Sequence, residues 1–298
     1  MSRIHCDMAG ASDIGCTRLE NQDHFLIAEL RRQLIIRNTD ISDGECSELF
    51  GCREGSLLVV ADGMGGHTGG EIASRTAVKA TARYVLDMTK WFLKLSPDDE
   101  QDFMDELSGS LGNIQKRIWS QSDSSSRSMG TTVTMSYILW PRMYVVHAGD
   151  SRCYLFRDGG LEQLTTDHTV VQQMLNSGAI THKEAAVSKW RNVLWNCVGG
   201  GDPKVRPEVV LCRLKIGDTV LLCSDGLNGM VSDDFIAKVL SKSSSSSDCV
   251  DELIQGAKQA GGKDNITVVV CRVLGEIADD CNEQGSTDTT VVEEVDSA

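Results

Sequence analysis

Five short acidic motifs contain the residues of this chain best suited to chemistry, and each motif adjoins a predicted strand. Each holds an aspartate at a turn, most often followed by Gly or Asn. Several aspartates in one cleft repel each other unless a cation neutralises them. Oxygen ligands without a His or Cys cluster favour Mg²⁺ or Mn²⁺ over zinc. The motifs are RLENQD at 18–23, ADGMGG at 61–66, AGDSR at 148–152, CSDGL at 223–227 and KDNIT at 263–267.

The order and wording of these motifs resemble the metal-dependent protein phosphatases, the protein phosphatase 2C family of serine/threonine phosphatases. The DGMGGH stretch at 62–67 resembles the bacterial branch of that family. A single Asp-Gly predicts only a turn, whereas five motifs in the family's order are specific, and the resemblance covers about residues 1–273. It implies hydrolysis of phosphoserine and phosphothreonine by a metal-activated water at a binuclear Mg²⁺ or Mn²⁺ centre. Two cations about 3.5–4 Å apart bind the phosphate and lower the pKa of the attacking water.

The resemblance also implies roles for individual residues. Asp62 matches the family residue that bridges both metals, and the backbone carbonyl of Gly63 matches a ligand of one of them. Asp225 and Asp264 match the ligands of the other metal. Asp23 matches a residue that acts mainly through metal-bound water. Asp62 is therefore expected to be catalytic as well as metal-binding.

Two further roles follow from the same comparison. Asp150, with the second-metal aspartate, matches the position of a third, weaker metal site in bacterial relatives. Arg18 is the candidate catalytic phosphate clamp, because a guanidinium binds two phosphate oxygens and stays charged. The general acid is left open between metal-bound water and three histidines, His67, His147 and His168. A histidine beside a strand is more often structural.

The pattern of elements predicts an α+β layered domain, with many short strands and paired long helices. The resemblance sharpens this to a four-layer α-β-β-α sandwich, a central antiparallel β-sandwich flanked by helix pairs. We expect a catalytic domain at 1–274, with a flap at 165–202 beside the active site. A polar hairpin loop is expected at 37–56, and a helix at 98–121 interrupted by Gly109 and Gly112.

Within the flap, two tryptophans, Trp190 and Trp195, are expected to be packing residues. Contact with a phosphopeptide or a partner is the alternative. Because flaps vary and shape access to a site, this segment bears on the choice of substrate.

Charge excludes one class of function and marks one segment. The chain carries a formal net charge of −14, with a pI of about 4.8, which argues against non-specific nucleic-acid binding. Residues 275–298 hold eight acidic residues and no Lys or Arg. We expect this tail to be disordered, since it has too few apolar residues to form a core.

Cysteine use and hydropathy bear on location. Eleven cysteines, none spaced as C-x-x-C, favour reduced thiols in the cytoplasm over a disulfide framework. The first residues show no apolar core of signal-peptide length, and no apolar stretch reaches about 18 residues. A cytoplasmic protein without a membrane partner is expected.

Three functions remain in competition on these grounds. The first is a serine/threonine protein phosphatase, a monomer acting on phosphorylated proteins and opposing a cognate Ser/Thr kinase. The second is a catalytically weak pseudophosphatase that binds phosphoproteins, which the presence of all five motif aspartates disfavours. The third is a metallohydrolase of small phosphoesters, since the motifs specify the chemistry and not the size of the leaving group.

Overall fold

The computed structural model describes residues 3–35, 48–65, 68–88, 100–120, 129–200 and 204–277. The strands are β1 (Arg3–Asp13), β2 (Asp23–Ile35), β3 (Glu48–Met64), β4 (Gly130–Thr131), β5 (Val133–Leu139), β6 (Arg142–Ala148), β7 (Arg152–Arg157), β8 (Gly160–Gln163), β9 (Val198–Gly199), β10 (Glu208–Arg213), β11 (Thr219–Cys223) and β12 (Ile266–Ile277). The helices are α1 (Thr68–Met88), α2 (Glu100–Ser120), α3 (Val170–Asn176), α4 (His182–Ala186), α5 (Asp225–Asn228), α6 (Asp233–Lys242) and α7 (Ser246–Gln259).

The strands form two antiparallel sheets. The order in the first sheet is β1-β12-β11-β7-β8, and in the second it is β10-β6-β5-β3-β4-β9, with β2 paired to β3. Antiparallel strands place the end of one beside the start of the next. The end of β1 and the start of β12 therefore meet, as the pair Asp13 and Ile266 shows.

Successive side chains of a strand point to opposite faces of its sheet, so the apolar side chains of the strands contribute to three cores. In β3, Leu57 and Val59 pack towards α1 and α2, whereas Leu58 and Val60 pack between the two sheets. A third core lies between the first sheet and the helices α6 and α7. Three cores require four layers, so the predicted α-β-β-α sandwich is confirmed.

The helix α2 is continuous, and the expected interruption at Gly109 and Gly112 was wrong. A Cβ added at either glycine would meet no atom within 4 Å, so neither position needs the conformational freedom of glycine. The helix is held instead by its apolar stripe. The buried members of that stripe are Phe103, Leu107, Leu111, Ile114 and Ile118.

Other expected boundaries also shift. The segment expected as a loop at 37–56 is strand from Glu48 onward, because β3 pairs with β2 as far as Ile35; residues 36–47 lie outside the described residues. The last strand extends to Ile277, three residues beyond the expected domain boundary. The rest of the acidic tail, 278–298, also lies outside the described residues. None of the described helices is long and apolar enough to cross a membrane.

Candidate active site

The register of β2 and β3 brings the first two motif aspartates together. Asp23 begins β2 and is the cross-strand partner of Asp62 near the end of β3. Directly opposed residues on antiparallel strands lie close together. The hydroxyl of Thr132 accepts a hydrogen bond from the backbone N–H of Asp62 at 2.9 Å, which fixes the backbone where β3 leaves the sheet.

The junction of β11 and β12 adds two more aspartates at the same end of the sandwich. Asp225 is the first residue of α5, two residues after the end of β11, and Asp264 lies two residues before the start of β12. The two segments approach unusually closely: a Cβ on Gly226 would lie 1.9 Å from the carbonyl oxygen of Asn265. Only glycine permits this approach. The contact keeps the two aspartate-bearing turns side by side.

A turn with a left-handed glycine carries the fifth aspartate. Gly149 has φ +126°, and a Cβ there would meet Thr132 at 2.5 Å. The residue that follows, Asp150, lines the same cleft as the other motif residues. Glycine is therefore required at this position both by backbone conformation and by space.

One cleft of about 780 Å³ collects these residues. Asp23 lies beneath it, with 4% of its surface exposed. The predicted site residues that line the cleft are Arg18, Asp62, Gly63, Asp150, Asp225 and Asp264. All the residues singled out for metal and phosphate binding therefore meet at one place in the fold.

Buried carboxylate oxygens without partners identify what the cleft could hold. Oδ2 of Asp23 accepts hydrogen bonds from Ser224 Oγ at 2.7 Å and from Thr267 Oγ1 at 2.8 Å. Oδ1 of Asp23 and Oδ1 of Asp225 are buried and receive no hydrogen bond from the described residues. A buried carboxylate oxygen without a partner is costly. A hard cation with oxygen ligands fits these atoms.

The raised pKa values of the cleft aspartates also indicate a site for a cation. Burial, and then the charges of Asp23 and Asp225, raise the pKa of Asp62 well above its usual range. Burial also raises the pKa of Asp150 to about 8, and the charge of Asp225 adds to this rise. Burial, then the charge of Asp264, raises the pKa of Asp225 to about 6. These carboxylates therefore need a compensating positive charge to be ionised together.

Arg18 contacts one of these aspartates directly. Its Nε donates to Oδ1 of Asp264 at 2.7 Å, and its Nη2 donates to Oδ2 at 2.6 Å. The Arg18 side chain is 55% exposed and lines the cleft. It therefore stands within reach of a phosphate bound beside the aspartates.

Sequence reasoning missed several residues that hold the cleft in place. The side chain of Asn265 accepts from the N–H of Gln22 at 2.9 Å and donates to the carbonyls of Ile14 and Glu20 at 3.0 Å each. It thereby ties the Arg18 loop to the Asp264 turn. Its place directly after Asp264 was the available signal. Ser224 and Thr267 also stand in two of the motifs, but their contact with Asp23 spans more than 200 residues, so the motifs did not show what they bind.

Two of the three candidate histidines lie outside the cleft. His147 is fully buried, with Nδ1 bonded to Thr134 Oγ1 at 2.9 Å and Nε2 to the Thr166 carbonyl at 3.1 Å. His168 lies beside it, with ring centroids 4.8 Å apart. Burial lowers the pKa of His147 to about 3 and that of His168 to about 4. Burial favours the neutral form of both rings, and their hydrogen bonds make them structural. His67 lies outside the described residues.

The ligating atoms of His147, His168 and Glu208 lie within 4.8 Å of one another, but a hydrogen-bond network already uses them. Nδ1 of His168 accepts from the N–H of Gly149 at 3.1 Å and pairs with the Asn196 amide at 2.8 Å. The Glu208 carboxylate accepts from the N–H and hydroxyl of Thr166. This network joins the Asp150 turn to the flap segment and is distinct from the aspartate cleft.

The flap segment contributes one side of the cleft through Asn192, Leu194 and Cys197. The expectation that both tryptophans pack is right for one of them. Trp195 lies against His168, with ring centroids 5.0 Å apart. Trp190 is 58% exposed, so the packing interpretation was wrong there; it lies in a turn whose neighbouring residues are also exposed.

The similarity to known proteins agrees with this geometry. The sequence profile of the family described as Protein phosphatase 2C matches residues 19–267. The chain is 33% identical over 216 residues to the serine/threonine phosphatase stp of Listeria monocytogenes, covering 72% of this chain and 83% of that protein. It is 37% identical over 222 residues to the serine/threonine protein phosphatase PstP of Mycobacterium tuberculosis, covering 73% of this chain.

The match spans only 40% of the length of the Mycobacterium tuberculosis protein. A solved structure of the catalytic domain of PstP, in complex with two manganese ions, superposes with a TM-score of 0.67 at 31% identity. That superposition covers 91% of this chain and 99% of the other. This chain therefore belongs to the protein phosphatase 2C family.

Proposed function

We propose that this chain is a serine/threonine protein phosphatase that hydrolyses phosphoserine and phosphothreonine in proteins, with Mg²⁺ or Mn²⁺ as cofactor. The observation that carries the proposal is the meeting of five motif aspartates and one arginine at a single cleft. Family membership and the manganese complex of a relative support the same chemistry.

The residues divide into cation ligands and a phosphate clamp. Asp62, which four other carboxylates surround, would hold both cations, with the Gly63 carbonyl contributing to one of them. Asp225 and Asp264 would hold the other. Asp23, beneath the cleft, would contribute its unpartnered Oδ1, mainly through cation-bound water. Two cations supply a water that is nucleophilic at neutral pH and stabilise charge on the phosphoryl oxygens.

The remaining polar side chains position the phosphate and its surroundings. Asp150 lines the same cleft as Asp225, and the two would together hold a third, weaker cation. Arg18 binds two phosphate oxygens with the same fork that contacts Asp264, because a guanidinium matches a phosphate bidentately. This clamp aligns the ester for attack.

We further propose the setting in which this activity operates. The catalytic domain spans residues 1–274, with 165–202 as its flap. It acts as a monomer in the cytoplasm, opposite a Ser/Thr kinase. The fully buried thiols of Cys153, Cys223 and Cys271, used as small apolar side chains, are typical of a reducing compartment.

Phosphate release separates this proposal from its rivals. The full chain is assayed with a phosphothreonine peptide and with free phosphoserine, in Mn²⁺, in Mg²⁺ and in EDTA. We expect metal-dependent turnover of the peptide at a much higher kcat/KM than that of free phosphoserine. Equal turnover of both would support a small-phosphoester hydrolase. No turnover by folded protein in either metal would leave the pseudophosphatase.

A further inference from the structure

A second concave surface lies away from the aspartate cleft, on the α1–α2 helix pair. It is a groove of about 470 Å³, and its lining shares no residue with the cleft. We call it the basic groove, after the four cationic side chains that line it. They are Arg75, Lys79, Arg83 and Arg117.

The basic groove concentrates positive charge on a protein whose net charge is −14. Arg75, Lys79 and Arg83 follow each other at four-residue spacing along α1, so they form one stripe on the helix. Like charges at this spacing destabilise a helix. The fourth cation, Arg117, comes from the last turn of α2 and adds to the repulsion.

Few acids compensate this charge. Nη1 of Arg75 pairs with Glu71 at 3.4 Å. Within the described part of the chain, Lys79, Arg83 and Arg117 form no ion pair. Three cations of the groove are therefore available to an anion from outside the described residues.

The groove also stands close to the proposed chemistry. The helix α1 begins at Thr68, just after the cleft residues Gly63 and Gly65. At about 1.5 Å per helical residue, Arg75 and Arg83 lie roughly 10 and 22 Å along the helix from its start. An extended peptide advances about 3.3–3.6 Å per residue. A peptide segment of about three to seven residues therefore spans these distances.

We propose that the basic groove is a docking site for an acidic segment of the phosphoprotein substrate, flanking the phosphorylated residue held in the cleft. The inference rests on the proposed phosphatase function. It gives an acidic enzyme a local means of attracting acidic substrates, since complementary charge promotes association and selects partners. It places substrate preference on α1 as well as on the flap.

The test compares phosphothreonine peptides that share one core sequence. One peptide carries five Asp or Glu residues about four to eight positions from the phosphothreonine, and its matched partner carries Asn and Gln instead. Both extensions are made on each side of the core. The full chain is compared with the double variant Lys79→Gln/Arg83→Gln. The control is Lys238→Gln/Lys242→Gln, which removes the same charge from α6 in the opposite helix layer.

For the unmodified chain we expect kcat/KM to be about 3- to 10-fold higher for the acidic peptide, through a lower KM, as a few exposed charge pairs give. High salt should reduce this preference. The groove variant should lose the preference and turn over the neutral peptide normally. The α6 control should keep it.

Three outcomes would overturn the proposal: no preference in the unmodified chain, a preference retained by the groove variant, or a gain by that variant on both peptides alike. The last would mean that the chain's own acidic segment 278–298 occupies the groove. If the unmodified chain turned over neither peptide with Mn²⁺, that result would instead count against the phosphatase function itself.

Discussion

Arg18 and Asp264 form a two-point ion pair across 246 residues of sequence, with N–O distances of 2.7 and 2.6 Å. The pair joins the proposed phosphate clamp to a proposed cation ligand. A cation on Asp264 would compete with the Arg18 guanidinium for the negative charge of this carboxylate, and a phosphate would compete with Asp264 for the guanidinium. We therefore expect Arg18 to turn to the phosphate when Asp264 holds a cation.

Removing the clamp should act on substrate binding. With saturating Mn²⁺, Arg18→Gln should lower kcat/KM for a phosphopeptide by about 10- to 100-fold, since a hydrogen bond to a charged group contributes about 1.5–3 kcal/mol. Because the clamp both binds the phosphate and aligns the ester, the loss should appear in KM and in kcat. Steady-state kinetics measure it, and Arg31→Gln removes another exposed arginine as the control. An unchanged kcat/KM for Arg18→Gln would contradict the clamp.

Stability without metal should depend on pH through Asp150. Its folded pKa of about 8 lies above the unfolded value of about 3.9. The stability contributed by the neutral acid is therefore fully present below about pH 4 and is lost as pH rises towards 8. In EDTA at pH 8, Asp150→Asn should raise the Tm by at least the roughly 2–4 °C that corresponds to 1 kcal/mol in a domain of this size.

At pH 4 the same substitution should change the Tm little. Asp251→Asn, on the exposed face of α7, is the control for removal of one negative charge. A Tm that falls for Asp150→Asn at pH 8 would show that this carboxylate is not under repulsive strain in the metal-free protein.

Replacing two glycines with alanine should change the free energy of unfolding in opposite directions. Gly226→Ala places a Cβ 1.9 Å from the Asn265 carbonyl and should lower the free energy of unfolding by about 1–3 kcal/mol. Gly109→Ala, in open space on α2, should raise it by about 0.5–1 kcal/mol. Urea denaturation compares the two. Equal effects of the two substitutions would mean that the β11–β12 turns are not held by this close approach.

An asparagine side-chain oxygen at position 168 should partly replace Nδ1 of His168 as a buried hydrogen-bond acceptor. His168→Leu leaves the N–H of Gly149 without its acceptor and leaves the Asn196 amide with only the Arg206 carbonyl, which should cost about 1–3 kcal/mol in total. His168→Asn places an amide oxygen near the position of Nδ1 and should recover part of the loss. Chemical denaturation gives both values. A variant with Leu as stable as the Asn variant would rule out the acceptor role.

The sequence was enough to locate the aspartates but not the residues that hold them. Asp62 and Asp225 stand in short motifs where a strand meets a turn, and such local patterns can be recognised in a single sequence. Ser224 and Thr267 bond Asp23 only through long-range folding. The four-residue helix at Asp225–Asn228 is shorter than any periodic pattern can reveal.

We propose that hydrolysis depends on cations held by Asp62. The direct measurement is Mn²⁺ titration by calorimetry, together with phosphothreonine-peptide turnover, on the same samples of the unmodified chain and Asp62→Asn. We predict at least two Mn²⁺ ions bound by the unmodified chain, fewer by the variant, and a fall in turnover of more than about 100-fold. A folded Asp62→Asn protein that binds two ions and retains turnover would contradict this role of Asp62.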